Sequence, residues 1–189
     1  MIVRLLLRLI FFILGLVLFK YYTSSAPIIR HAEEQEQESE ISFFEGRFQD
    51  HLNGYSLRRP GKEWKFEPSP RSKDLIKLGI THKSGKYGLQ VRIYQKNNLG
   101  FDEFLNQYIE NFKNDMQNPA ILSRSTFQGD GINGVAISFD GRKRNGYFLK
   151  SWVFPGDRFY YALQGGCLFA QKGKIEPELD KIAASFKTE

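Results

Sequence analysis

The side chains that could carry out chemistry do not form a recognisable catalytic motif. The 189 residues include a single cysteine, Cys167, and three histidines whose spacing matches no metal-ligand pattern, His31, His51 and His82. No serine lies in a Gly-x-Ser-x-Gly nucleophile elbow. We therefore predict a protein that is not an enzyme and has no catalytic residue, no cofactor and no metal site.

The acidic and glycine-rich segments have structural interpretations. Asp102 and Glu103 lie near the start of a predicted helix, where the helix dipole favours negative charge. Residues 129–134, with the sequence GDGING, lead into a strand and lack the lysine of a phosphate-binding loop. We interpret them as a turn.

The densest cluster of positive charge is Arg142-Lys143-Arg144, in a predicted turn between two strands. One interpretation is a solvated hairpin tip, because charge at that position discourages pairing between sheet edges. The other is a contact with anionic lipid headgroups or with another anionic partner. The three residues are candidates for an anionic-surface contact.

Residues 1–22 have the pattern of a membrane signal. Arg4 and Arg8 precede an apolar run over residues 9–19, and the whole segment approaches the ~20 residues that span a bilayer. Pro27 disfavours cleavage after the small residues before it. We predict an uncleaved anchor whose basic start keeps the N-terminus in the cytoplasm, with the remaining chain on the extracytoplasmic (periplasmic) side. The alternative is secretion after signal cleavage.

An acidic linker and lead-in segment is predicted over residues 23–52. Its stretch AEEQEQESE, residues 32–40, has no large apolar side chain and cannot bury a core. Residues 1–40 hold only four basic and five acidic side chains of the chain's 27 and 21, so the rest of the chain is strongly basic. We expect no nucleic-acid partner, because an exported domain would not reach one.

Strand and helix patterns alternate in blocks along residues 53–187. In residues 87–94, apolar side chains occupy every second position, which is typical of a strand. Residues 101–116 and 176–186 have helical periodicity, and Phe104, Tyr108 and Phe112 should face the sheet. The order predicts an α+β fold: an antiparallel sheet layered with two main helices, behind the N-terminal membrane helix.

The globular part, about residues 53–187, resembles the PsbP/Mog-like domain family. The likeness rests on the order of elements and on two segments, Tyr55-Ser56-Leu57-Arg58-Arg59-Pro60 followed by Trp64, and the ending Ile182-Ala183-Ala184-Ser185-Phe186. The resemblance implies an αβα sandwich and a role in binding or as an assembly helper. It transfers no catalytic residue, because the family has no common active-site motif.

A candidate partner-binding surface follows from strand parity. The strand faces opposite the apolar ones would carry aromatic and cationic side chains, which dominate binding energy at interfaces. The alternative is that the closing helix covers this face and buries Trp152. The candidate residues are Arg92, Tyr94, Lys150, Trp152 and Tyr160, with Gln90, Phe148 and Gln164 beside them.

These features predict a membrane-anchored, non-catalytic binding or assembly-helper module of the cell envelope. Its partners would be the membrane, through residues 1–22, and a protein or another envelope component. An envelope hydrolase and a small-ligand carrier, each with a pocket that the sequence does not reveal, are the alternatives. An enzyme needs polar groups that converge in a pocket, whereas a binding module presents a surface patch.

Overall fold

A computed structural model describes residues 41–68, 76–115, 119–141 and 146–189. The predicted anchor, the acidic stretch before Ile41 and the Arg142-Lys143-Arg144 cluster lie outside the described residues. Ile41–Glu189 form a compact unit. Among the described residues, no helix is both long enough and apolar enough to cross a bilayer.

A four-stranded antiparallel sheet contains both ends of this unit. Its order is β1-β2-β3-β11, and the strands are β1 (Ile41–Phe44), β2 (Arg47–Asp50), β3 (Tyr55–Arg58) and β11 (Lys187–Thr188). Phe48 of β2 is fully buried. The predicted boundary at residue 53 therefore lies too late, because the alternating Phe48 and its neighbours pair with β3 and belong to the folded unit.

The larger sheet has seven antiparallel strands in the order β4-β5-β6-β10-β9-β8-β7. The strands are β4 (Trp64–Pro68), β5 (Ile76–His82), β6 (Gly88–Gln95), β7 (Ala120–Gln128), β8 (Asn133–Gly141), β9 (Tyr147–Pro155) and β10 (Phe159–Leu168). The strand predicted at residues 87–94 is confirmed as β6, within one residue at each end.

Two helices cover the larger sheet. Helix α1 is Phe101–Asp115, and helix α2 is Lys172–Ala184, which follows a 3-10 turn at Phe169–Gln171. Helix α2 begins before the predicted residue 176, and Pro177, expected in its first turn, lies within it. The buried Ile175 explains the earlier start, because it packs the first turn against the core.

The core forms on both faces of the larger sheet. On one face α1 packs Phe104, Leu105, Tyr108 and Ile109 against β8, β9 and β10. On the other face α2 and the smaller sheet share a second cluster that contains Leu179, Ile182 and Phe186. These layers confirm the predicted α+β fold with an antiparallel sheet and two main helices.

Candidate functional site

A groove beside α1 is the candidate site. Helix α1 covers the β8, β9 and β10 side of its sheet face and leaves much of β4, β5 and β6 uncovered. Two adjoining cavities of about 440 and 400 Å³ occupy this space. We call it the α1 groove, and both cavities are lined by Arg92, Phe112, Asp115 and Gln164.

The floor of the α1 groove has two rows of residues that run across neighbouring strands. Residues paired in register point to the same face of a sheet. One row is polar, and the other, which we call the bare row, has glycine at its two central positions. The polar row contains Gly79, Gln90, Gln164 and Ser151, and the bare row contains Thr81, Gly88, Gly166 and Leu149.

Glycine is required at two positions of the bare row. A methyl group on Gly88 would lie 2.8 Å from the Ile80 carbonyl oxygen, and one on Gly166 would lie 2.9 Å from the Phe148 carbonyl oxygen. At Gly79, by contrast, a methyl group would make only ordinary contacts, at 3.5 Å or more, with Glu67. Gly88 leaves the sheet backbone open to close approach, whereas the Leu149 side chain reaches over Gly166.

A chain of hydrogen bonds extends from the groove to the buried side of α1. Gln90 Nε2 donates to Gln164 Oε1 at 2.7 Å, and Gln164 Nε2 donates to Tyr108 Oη at 2.7 Å. The Tyr108 hydroxyl donates to Ser151 Oγ at 2.9 Å. Burial raises the pKa of Tyr108 well above its ordinary value, so the phenol stays protonated at neutral pH.

Arg92 lies at the exposed end of this chain. With the oxygen and nitrogen of the Gln90 amide exchanged, the oxygen accepts from two guanidinium nitrogens of Arg92 at 3.1 and 3.2 Å. If the Gln164 amide is exchanged as well, the whole chain of hydrogen bonds can run in the reverse sense, because amides and hydroxyls both donate and accept. Burial raises the pKa of Tyr94, and a hydrogen bond from Arg92 partly offsets that rise.

The charges of the α1 groove are mixed. Its lining includes the cation of Arg92, the carboxylates of Asp115 and Glu67, and the Phe112 ring. Ser151 is buried and bonded to Tyr108, and no histidine of the described ranges lines the groove. The arrangement therefore suits hydrogen bonding to a polar, partly apolar ligand rather than nucleophilic attack.

The prediction that five residues share one partner-binding face is wrong. Trp152 of β9 pairs with Leu163 of β10, and Tyr160 of β10 pairs with Tyr94 of β6. Because paired residues share a face, the even-numbered residues of β9 lie on the opposite sheet face from the even-numbered residues of β10. Arg92 and Tyr94 lie in the groove, whereas Trp152 points to the α2 layer. The alternative interpretation, burial of Trp152 under the closing helix, is confirmed, because Trp152 is fully buried.

The other two candidates are also occupied within the fold. Lys150 Nζ lies 2.8 Å from both Glu176 Oε1 and Asp180 Oδ1 of α2. The Tyr160 ring is buried and stacks on Phe104 with 4.3 Å between ring centroids. Neither side chain is presented to a partner in this arrangement.

Three residues in and beside the smaller sheet approach the order of a hydrolytic triad: Ser42 in β1, His51 directly after β2 and Glu189 directly after β11. Ser42 Oγ lies 3.3 Å from His51 Nε2, and His51 Nδ1 lies 3.8 Å from Glu189 Oε2. The distance between His51 Nδ1 and Glu189 Oε2 is too long for a hydrogen bond, and His51 is exposed. Neither groove cavity is lined by these residues, so we assign them no catalytic role.

Cys167 packs in the core. Its side chain is fully buried, and burial raises the pKa of its thiol. A protonated, inaccessible thiol is a poor nucleophile. Among the described residues there is no group of three or more histidine, cysteine, aspartate or glutamate side chains that could hold a metal ion.

Much of the groove was not evident in the sequence. The partial sheet coverage by α1 and the alignment of Gly88 with Gly166 depend on strand order and register. The sequence did indicate three polar residues of the groove, because each alternates with the apolar residues of its strand: Gln90, Arg92 and Gln164. Tyr108 was identified only as a core residue.

The fold is similar to that of solved structures. The cyanobacterial PsbP protein CyanoP from Synechocystis sp. PCC 6803 matches with a TM-score of 0.59 and 11% identity, over 76% of this chain and 91% of that chain. A protein of unknown function from Pseudomonas aeruginosa, PA94, matches with a TM-score of 0.50 and 8% identity, over 79% of this chain and 96% of that chain.

LpqN, involved in cell envelope biogenesis of Mycobacterium tuberculosis, has a TM-score of 0.48 and 12% identity, over 73% of this chain and 86% of that chain. No protein-family model matches the chain, and no curated protein sequence matches it. At these identities the likeness shows the fold alone. The PsbP-like architecture predicted from the sequence is confirmed at that level.

Proposed function

We propose that this protein is a membrane-anchored, non-catalytic binding module of the cell envelope that holds a partner in the α1 groove. The observation that carries the proposal is the floor of the groove. There, half-buried amides and a guanidinium lie beside a row whose two central residues, Gly88 and Gly166, have no side chain. A partner could hydrogen-bond the polar row and pack on the bare row at the same time.

The hydrogen-bond chain supports binding rather than structure alone. Gln90 and Arg92 are each partly exposed, while the chain ends at the fully buried Ser151. The hydrogen bonds to buried groups thus fix the orientation of the amides, while the atoms that face the groove stay accessible to a ligand. Groups that are oriented before a ligand arrives lose less conformational entropy on binding.

The location in the envelope is supported by the sequence of residues 1–22. A basic start, an apolar run and an acidic linker are the parts of a tethered exported domain. The anchor would hold the domain at the extracytoplasmic side, within reach of envelope components.

A small-ligand carrier is the second candidate. Cavities of about 440 and 400 Å³ are of the size that holds small molecules. A carrier would retain a bound small molecule through purification, which native mass spectrometry detects. A binding module would be free of small ligand and would capture a macromolecule from solubilised membranes.

Gly79→Leu tests the proposed site. Because a side chain at position 79 meets only ordinary contacts and points into the groove, leucine would fill the floor without straining the sheet. Capture of the partner from detergent-solubilised membranes should fall at least about tenfold, which corresponds to about 1.4 kcal/mol.

Gly173→Leu is the matched control. Gly173 is an exposed position in the first turn of α2 with nothing within 4 Å of an added methyl group. This variant should capture the partner as the wild type does. Equal capture by all three proteins, or no capture by the wild type, would contradict the proposed function.

A further inference from the structure

The hairpin of β1 and β2 presents two exposed aromatic side chains. Phe43 is 58% exposed and Phe44 is 72% exposed. Glu45 and Gly46 form the connecting turn with φ of 48° and 75°, so the turn is tight and the tip is held in one shape. The Phe43 ring lies 5.5 Å from Phe48 and 6.1 Å from Phe66, which fixes its position.

Positive charge surrounds the base of the hairpin. A cavity of about 480 Å³ lies between the hairpin and β4, with Phe43 and Phe66 as its aromatic walls. Its charged lining consists of Arg59, Lys65, Glu45 and Arg47, of which Arg47 is already paired with Asp130 at 3.2 Å. Arg59 and Lys65 are exposed. An aromatic tip above a cationic cavity fits an interface where acyl chains meet anionic headgroups.

The position of this hairpin in the chain suggests what it meets. Phe43 and Phe44 come directly after the segment that joins the folded unit to residues 1–22. The 20 residues from 23 to 42 lie between the apolar segment and Phe43 and can span at most about 70 Å, so the hairpin is the part of the unit nearest to the proposed anchor along the chain. Here the inference rests on the anchor in the proposed function.

We infer that the β1–β2 hairpin docks on an anionic phospholipid membrane, with Phe43 and Phe44 at the acyl boundary and a lipid phosphate near Arg59 and Lys65. The contact adds a second attachment to the anchor. It thereby orients the folded unit on the membrane instead of leaving it free on its linker.

Tryptophan fluorescence tests this contact on the full chain. Trp64 and Trp152 are both fully buried, so a tryptophan at the hairpin tip reports its own surroundings. The Phe44→Trp variant is mixed with phosphatidylcholine vesicles, with or without phosphatidylglycerol, and with brominated lipid as a quencher. Its emission should shift to shorter wavelength and be quenched, more strongly with phosphatidylglycerol, and Lys65→Gln in the same background should reduce that dependence.

Ile121→Trp is the matched control. Ile121 is 45% exposed in β7, at the opposite edge of the larger sheet from β4. Six strand spacings separate the two edges, about 29 Å, so this position should stay unquenched in every vesicle. Inorganic phosphate should not abolish the quenching of the Phe44→Trp variant, whereas competition by free phosphate would show an anion site without a membrane contact and overturn the inference.

Flotation with the vesicles separates the two proposals. A chain that floats while the Phe44→Trp variant stays unquenched keeps the anchor and overturns the hairpin contact. If the Phe44→Trp variant is quenched in the mixture but leaves the vesicles during flotation, the hairpin contact is supported and the anchor is contradicted. The buried Trp64 and Trp152 emit at short wavelength themselves, so the wild-type spectrum is subtracted from that of Phe44→Trp. If the remaining emission is at short wavelength before vesicles are added, another part of the chain covers the tip, which also overturns the inference.

Discussion

The indole N–H of Trp152 in β9 donates a hydrogen bond to Asp180 Oδ1 in α2 at 2.9 Å. The same carboxylate also pairs with Lys150, whose ammonium lies 5.5 Å from the centroid of the Trp152 ring. Two side chains that the sequence suggested for a partner are therefore used to fix α2 on the sheet. This leaves the other face, with Arg92 and Gln164, for binding.

A double-mutant cycle measures the Trp152–Asp180 contact. Trp152→Phe removes the donor and Asp180→Ala removes the acceptor, and the coupling in the free energy of unfolding should be about 1–3 kcal/mol. As a control, Glu178→Ala changes a carboxylate on the same helix that lies near Tyr87 instead. Its coupling to Trp152→Phe should be close to zero. A zero coupling for Asp180 would show that the hydrogen bond does not hold α2.

Shortening side chains of α1 should lower the free energy of unfolding by an amount that depends on how deeply each is buried. Leu105 is fully buried, so Leu105→Ala should cost about 2–5 kcal/mol of stability in urea unfolding. Phe112 is only half-buried because it borders the groove, although its ring lies 4.4 Å from that of Phe139. Phe112→Ala should therefore cost less than Leu105→Ala. The reverse order would show that α1 packs on the sheet in another rotation.

The sequence predicted the elements of this fold well because apolar periodicity is a local signal. The alternation in β6 and the stripe of α1 need only the chain itself to be recognised. The prediction that Trp152 and Tyr160 share a face was wrong. Which residues of two strands share a face depends on the register between the strands, and alternation within one strand carries no information about that register. The α1 groove escaped prediction for the same reason, since Gly88 and Gly166 meet only through the register.

Alkaline pH should weaken the fold through its buried tyrosines. Burial raises the pKa of Tyr161 to about 12 and also raises the pKa of Tyr55 and Tyr108. Above pH ~10 the unfolded chain loses phenol protons that the folded chain keeps, so this stability is complete below pH 10 and is lost as the pH rises toward 12. Urea midpoints should therefore be constant below pH ~10 and fall between pH ~10 and about 12.

Tyr161→Phe should make that fall less steep, because it removes one of the titrating groups. Tyr147→Phe changes a tyrosine that is 36% exposed and should keep the wild-type slope. Midpoints that stay constant with pH in the wild type, or equal slopes in both variants, would contradict the role of burial.

The anchor predicts how the full chain fractionates. The protein should stay in the membrane pellet after carbonate extraction, and its folded unit should be digested by protease added from the extracytoplasmic side. Replacement of Arg4 and Arg8 by glutamate should reduce or reverse this orientation. Release of the body as a soluble species that begins near Pro27 would instead establish signal cleavage.

Site-specific photo-crosslinking tests the binding claim most directly. A photoreactive amino acid in place of Thr81, in the bare row of the α1 groove, is compared with one in place of the exposed Arg124 in β7. The account predicts a discrete crosslinked partner from position 81, its loss when Gly79→Leu is added, and no such product from position 124. A partner that crosslinks from position 124 and not from position 81, or one that persists with Gly79→Leu, would contradict binding in the groove.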